Sequence, residues 1–147
     1  MANVRGCNLP DELLYDVENH TWFKEMGDGT VRLGMTTVAT ALAGRLVAVT
    51  PKKAGRSVEA GKSCATVESG KWVGPAKSVA GGSIVEVNDK LVATPSLAND
   101  DPYGEGWLIL LKPTDWAAVR PSLVLGSQVA PKYEAKMAAD GFAGCAP

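Results

Sequence analysis

The sequence predicts a mainly β domain, with two antiparallel sheets packed face to face, short helices between strands, and a C-terminal helical cap. Three observations point there. Sixteen glycines and nine prolines in 147 residues break the chain into short runs rich in Val, Ile, Leu and Thr, the pattern of many strands and tight turns. A strand motif, Gly-x-aliphatic-Val-x-Val, occurs twice, as "GRLVAV" at 44–49 and "GSIVEV" at 82–87, which suggests two similar sheets each turning Val, Leu and Ile inward. The tail beyond residue 113 differs, with alanines and apolar residues at helical spacing.

Taken in order, "TWFKEMGDGTVRLGM" reads as a hairpin with "GDG" as the turn between strands near 21–25 and 30–34. A short helix is expected over Thr36 to Leu42, with Thr36 or Thr37 as N-cap, Val38 and Leu42 on one face and Gly44 after the last turn. The two copies of the strand motif come next, with a hairpin between them that carries Lys71 near its tip. In the tail, "PTDWAAVRPS" offers Thr114 as the cap of a helix ending before Pro121. "APKYEAKMAADGFAGC" then offers Pro131 in a first turn, Tyr133 and Met137 on one face and Gly141 as the stop. The chain reads as a single domain over 1–147, with a β body over about 8–113 and a helical tail over about 114–147.

A chain of this length is long enough to bury roughly two-thirds of its unfolded surface around one core. Lys and Arg number 15 against 16 Asp and Glu, for a net charge of -1, so no basic footprint points to nucleic acid. No apolar run approaches the roughly 20 residues of a membrane span, and the first residues lack a signal-peptide core. The expectation is a soluble, cytoplasmic monomer. With one histidine, His20, and three cysteines, no spacing suggests a zinc site. Neither a "GxGxxG" run nor a nucleophile-and-base arrangement is present, so the chain is expected to be a non-catalytic protein.

The stretch "ESGKW" singles out Lys71. A lysine at a turn between two strands is held out for something to reach, whereas most lysines simply solvate a face. Gly70 before it is expected to supply clearance and turn geometry, since glycine takes positive φ freely. Trp72 after it is a large apolar side chain left partly exposed unless something covers it, which suggests a docking surface.

"ESGK" resembles the Glu-Ser-x-Lys lipoylation site of the H protein of the glycine cleavage system. The similarity continues upstream through "NLPDELLYDVENHTWF" and "VRLGMTTVATALAGRLVAV". Downstream it runs through "GSIVEVNDKLVATPSLANDDPYGEGWLILLKPTDW", which holds Asn88, Pro95, Asn99 and the Pro102-Tyr103-Gly104-x-Gly106-Trp107 run. It covers roughly residues 8 to 117. The resemblance implies a flattened barrel-sandwich hybrid with lipoate joined to Lys71 by an amide, and a carrier whose arm swings between partner active sites as a disulfide, a dithiol or a substrate adduct. A lipoate-attaching enzyme and dihydrolipoamide dehydrogenase are implied partners. By its position in the motif Glu68 would serve as a recognition element for the attaching enzyme, otherwise being a solvated strand residue, with Ser69, Gly70 and Trp72 as its neighbours in the lipoylation motif. A module without its lipoyl group is disfavoured by Glu68, Ser69 and Lys71 all being present, and a biotin carrier by Gly70 and Trp72 where methionines would flank the lysine.

Where H proteins commonly continue with small and polar residues, this chain has "KWVGPAKSVAGG". Together with cysteines near both termini, "ESGKWVGP" is similar to the lipoate-binding proteins of sulfur oxidation that work with a heterodisulfide-reductase-like complex. The preferred reading from sequence is therefore a sulfur-carrying arm, since a dihydrolipoyl thiolate can attack a sulfane sulfur by thiol exchange. The alternative is an aminomethyl carrier of glycine cleavage.

Cys7 and Cys145 either exchange with the lipoyl group, or form a disulfide joining the chain ends, or stay as two reduced thiols, which a reducing compartment favours. Cys64, in an alternating run, is expected in or near the core. His20 is expected to be structural and to border the surface where the arm rests. Tyr103 and Trp107 look like a packed turn supporting the β body.

Overall fold

The β body begins before the expected residue 8. In the computed structural model, which describes residues 1–145, β1 (Ala2–Val4) and β2 (Cys7–Leu9) form a hairpin over Arg5 and Gly6. Both turn residues take positive φ, 51° and 84°, as a two-residue hairpin matched to the strand twist requires. Arginine in the first turn position hides this signal, because non-glycine residues rarely adopt positive φ.

An antiparallel meander follows in β3 (Leu14–Asp16), β4 (Thr21–Glu25) and β5 (Val31–Met35). The loop between β4 and β5 is the expected one, with Gly27 and Gly29 at positive φ. Helix α1 (Thr37–Ala43) is capped by Thr36, whose hydroxyl accepts from Ala39 N at 3.2 Å, and ends at Gly44, whose φ of 89° lets its N–H reach back to Thr40 O.

The central strands are β6 (Leu46–Pro51), β7 (Ser57–Val58), β8 (Lys62–Ser69), β9 (Val73–Ser78), β10 (Gly82–Val87) and β11 (Ile109–Pro113), with α2 (Asp89–Ala93) and α3 (Leu97–Asp100) between the last two. Then come α4 (Trp116–Val119), a 3-10 turn at Arg120–Ser122, β12 (Val124–Leu125), and α5 (Val129–Asp140). No helix among the described residues is long and apolar enough to cross a membrane.

The expected face-to-face sheets are present but unequal. Seven strands pair in the order β12-β3-β4-β5-β11-β10-β7, and three in the order β6-β8-β9, antiparallel throughout. The two copies of the strand motif fall one in each sheet, and their side chains behave alike. Leu46 and Ile84 are each 2% exposed, while Val47 and Val85 are 60% and 49% exposed. In both copies the register with the neighbouring strand shifts across that exposed valine, a bulge that bends the strand around the shared core.

Between the sheets lie Phe23, Leu33, Val49, Val67, Ile84 and Leu111. A second apolar cluster covers the opposite face of β3 and β4, where Tyr15 and Trp22 alternate with the inward Leu14 and Phe23. There α5 packs Val129, Tyr133 and Met137 beside Cys7 and Leu9 of the N-terminal hairpin. The Trp22 indole N–H lies 3.1 Å from both Met35 O and Pro102 O. Gly34, its cross-strand partner, leaves the ring its room, since a Cβ there would sit 2.7 Å from Trp22 Cζ2.

The tail departs from expectation in two places. Asp115 caps α4, accepting from Ala118 N at 3.3 Å, where Thr114 was expected. This shift lets Trp116 meet Glu25 through its indole N–H at 2.9 Å and pack on Phe23 with ring centroids 5.8 Å apart. The tail is also not wholly helical, because β12 extends the seven-stranded sheet beside β3. Helix α5 matches, with Tyr133 and Met137 buried and Gly141 ending it at φ 67°.

Candidate functional site

Lys71 sits at the tip of the hairpin that β8 and β9 form. The register pairs Glu68 with Val73, and Ser69 N–H donates to Trp72 O at 2.8 Å, which leaves Gly70 and Lys71 as a two-residue turn. Ser69 is buried and its hydroxyl accepts from Lys71 N at 3.3 Å, so the serine before the turn braces the lysine backbone. Glu68, one residue earlier, alternates outward and is exposed.

The reason expected for Gly70 does not hold. Its φ lies outside the positive range, and a Cβ there would meet nothing within 4 Å. Clearance at the tip comes from projection of the hairpin. The glycines that do make room lie elsewhere. A Cβ on Gly44 would sit 3.0 Å from Lys71 Cε, so the end of α1 is a bare backbone surface along which the lysine stem runs. A side chain on Gly74 would overlap the Trp72 indole, which folds back over that residue. Even so, Trp72 remains 41% exposed, with Leu42 at 45% and Val73 at 61%. These three make an apolar collar near the lysine.

Lys71 itself is exposed, and its ammonium takes part in no salt bridge among the described residues. Beside it opens a cleft of about 550 Å³, walled by Ala39, Leu42 and Ala43 of α1, by Met35, and by Trp72 and Pro75 of the hairpin. Glu18, His20 and Lys77 stand on its polar side. An amide-linked, uncharged sulfur ring fits this setting, because the lysine charge would be removed and an apolar wall lies alongside.

His20 borders the cleft as expected, and its backbone shows why. It takes φ 55°, which bends the chain between β3 and β4 and turns the imidazole onto Tyr133, stacked at 5.7 Å with Nδ1 3.1 Å from the phenol oxygen. Burial, then the nearby Lys136 charge, hold its pKa below the ordinary value. Burial pushes the Tyr133 phenol in the opposite sense, upward.

Long-range contacts fix the surface under the lysine. Asn99 donates to Gly44 O at 3.0 Å and accepts from Leu46 N at 2.9 Å, while Arg45 pairs with Asp100. Asn88, which is buried, ties Glu105 O and Trp107 O at 2.6 and 2.7 Å. Tyr103 donates to Asn8 O at 2.6 Å and accepts from Thr37 N at 3.1 Å, and Arg32 lies 4.7 Å over the Trp107 ring. Tyr103 and Trp107 are thus supports, as expected. The bracing by Asn99 was missed, since nothing local to residue 99 signals a partner 55 residues away.

Cys7 and Cys145 are joined as a disulfide with Cα atoms 5.1 Å apart, where the compartment argument favoured two thiols. Backbone contacts bring the ends together. Cys145 N–H donates to Arg5 O at 3.0 Å, and the Arg5 guanidinium reaches Glu134 and Phe142 O, each at 2.7 Å. Cys145 Sγ also lies 3.6 Å from Thr37 O, in the first turn of α1. Cys64 is buried as expected, and burial pushes its thiol up to about 12.

The chain is similar in sequence and fold to known proteins. The profile of the family described as "Glycine cleavage H-protein" matches residues 13–136. Glycine cleavage system H protein 5 of Aquifex aeolicus is 50% identical over 134 residues, covering 88% of this chain and 90% of its own. H protein 2 of the same organism is 44% identical over 134 residues, covering 91% and 83%. The crystal structure of a glycine cleavage system H protein from Mycobacterium marinum superimposes with a TM-score of 0.74 at 36% identity, covering 90% of this chain and 99% of that one.

Proposed function

The chain belongs to the glycine cleavage H-protein family, and from that premise we propose that Lys71 is its point of lipoate attachment. Proteins of this family are non-catalytic carriers with lipoate covalently bound to a lysine, and they work with a lipoate-attaching enzyme and with enzymes that act on the lipoyl arm. The observation that carries the assignment is the position of Lys71. It lies exposed in a two-residue turn, with an unpaired ammonium among the described residues and an apolar cleft beside it. Glu68, Ser69 and Gly70 frame it for the attaching enzyme, and Trp72 stands beside it for the partners that act on the arm.

For the cargo, the names of the relatives favour the aminomethyl group of glycine cleavage over the sulfur species preferred from sequence. In this reading the arm accepts the group from a pyridoxal-phosphate-dependent decarboxylase and delivers it to a folate-dependent transferase. Dihydrolipoamide dehydrogenase then reoxidises the arm, and the setting is cytoplasmic. The sulfur reading, with a heterodisulfide-reductase-like complex as partner, keeps one specific support. The tip carries Gly70 and Trp72 rather than small polar residues, and the collar of Leu42, Trp72 and Val73 gives a partner an apolar surface to grip.

Peptide mass spectrometry of the chain from its native host tests both levels. Lipoyl on Lys71 with an aminomethyl adduct supports glycine cleavage, and lipoyl with bound sulfur supports the second reading. A bare Lys71 removes the carrier assignment. The role of the collar is tested by Trp72→Ala, which should still be lipoylated but turn over more slowly with its partner; unchanged turnover would remove that role.

A further inference from the structure

We propose that Cys7 and Cys145 form an internal redox partner for the arm on Lys71: as two thiols they reduce the oxidised arm and close to the disulfide seen here. This rests on the reading that Lys71 carries a lipoyl group. The placement comes from α1, which touches both centres. Lys71 Cε lies against Gly44 just beyond the last turn, and Cys145 Sγ lies 3.6 Å from Thr37 O in the first turn. Seven residues of helix separate these points, roughly 10 Å at 1.5 Å per residue. The lipoyl chain beyond Nζ spans about eight bonds, a reach of roughly 10 Å, and the lysine stem adds freedom to redirect it. Ala39, Leu42 and Ala43 of the same helix line the cleft on the lysine side.

Burial sets the order of events. Cys145 is half-buried and Cys7 is fully buried, so the Cys145 thiolate is the one that meets the arm. It attacks one sulfur of the dithiolane; the ring S–S bond breaks, and the second ring sulfur leaves as a thiolate and takes a proton. Cys7 then attacks Cys145 Sγ, the Cys7–Cys145 bond forms, and the first arm sulfur leaves and is protonated. Two electrons and two protons pass from the cysteines to the arm, with no further reagent. The direction follows from contacts that do not involve sulfur. The Cys145–Arg5 backbone bond and the Arg5 contacts to Glu134 and Phe142 do not depend on the sulfur bond, and by keeping the two cysteines near each other as thiols they would favour the closed pair.

The test uses the full chain after intact mass has established lipoyl on Lys71. The protein is reduced with a phosphine, freed of it anaerobically, given one equivalent of diamide, and alkylated at intervals for peptide mapping. The oxidising equivalent should settle on Cys7–Cys145 by about tenfold or more over the arm. In Cys7→Ser, and in Cys7→Ala as a second packing background, the Cys145 peptide should become disulfide-linked to the Lys71 peptide. Oxidised free lipoamide at about 10 µM, acting on Lys71→Arg, should close the pair roughly 100-fold more slowly than the tethered arm, as expected for a millimolar effective concentration. An arm that stays oxidised beside two free cysteines in the wild type, with no crosslink in either variant, overturns the proposal. Absence of lipoyl from Lys71, even after ligase treatment, overturns the carrier reading and this proposal with it.

Discussion

Reducing the Cys7–Cys145 bond should cost this protein a large share of its stability, and the cost can be worked from the position of the bond. It joins residues 138 apart, so almost the whole unfolded chain is closed into one loop. The chain-entropy relation for a loop of that size gives about 17 cal/mol/K, or about 5 kcal/mol at 25 °C. Native disulfides more often return about 2–4 kcal/mol, because denatured chains keep some structure of their own. With a slope of about 3 kcal/mol/M in guanidinium chloride, a loss of 2–5 kcal/mol moves the midpoint down by roughly 0.7–1.7 M. The assay is equilibrium unfolding of the oxidised wild type, the phosphine-reduced wild type and Cys145→Ser. The last two should agree with each other to within about 1 kcal/mol, and the oxidised form should show the smaller denaturant slope, since its unfolded state exposes less surface. A midpoint shift below about 0.3 M would mean that the ends are held mainly by the Arg5 contacts and would refute the loop-closure reasoning.

Three further outcomes concern Trp22, Glu25 and His20. Trp22→Phe removes the indole N–H shared by Met35 O and Pro102 O and should cost at least about 1–3 kcal/mol in urea unfolding for the buried carbonyls left unpaired; a loss under about 0.5 kcal/mol would show that they find other donors. Glu25 is held below its ordinary value of 4.5 by hydrogen bonds from Arg120 and Trp116, so its contribution is complete above that value and is lost as pH falls from 4.5 through the lowered one. Arg120→Ala should flatten the acid limb of a stability profile, and an unchanged limb would place the loss elsewhere. His20, lowered from 6.5 by burial, resists protonation in the fold, so its stabilising contribution is present above 6.5 and is lost as pH drops below it. His20→Gln should remove that step from urea midpoints taken between about pH 5 and 7.5.

What the sequence revealed was set by local chemistry. The cap at Thr36, the glycine stop at Gly44, the Gly27 and Gly29 loop and the Gly141 terminus each answer to backbone groups within four or five residues, and each is where the sequence puts it. The paired motif was legible for the same reason, since alternation within six residues decides which side of a strand is buried. The unread features depend on distant partners. Arg5 O takes its hydrogen bond from Cys145 at the far end of the chain, Asn99 serves Gly44 and Leu46, and β12 is a strand only because β3 offers it an edge. Lys71 is marked in the sequence by its neighbours, whereas Gly70 has neither a positive φ nor a crowded Cβ position, and the glycines that matter, Gly44 and Gly74, lie on the surfaces that Lys71 and Trp72 rest against.

A swinging arm needs a base that does not swing, and the contacts around Lys71 supply one. The turn has two residues and is braced by the Ser69 hydroxyl, so little backbone freedom remains at the tip. Below it, Gly44 is held by the end of α1 on one side and by Asn99 on the other. The freedom of a group attached there would lie in the rotatable bonds of the lysine stem and of the group itself, which would disperse its reactive end over a sphere centred on a fixed point. The cleft, His20 and the Cys145 end of α1 all fall close to that point. On the proposed attachment at Lys71, a partner docking on the collar of Leu42, Trp72 and Val73 would meet an arm of constant origin, and selection among cargoes would pass to what each partner offers the arm once it has swung out.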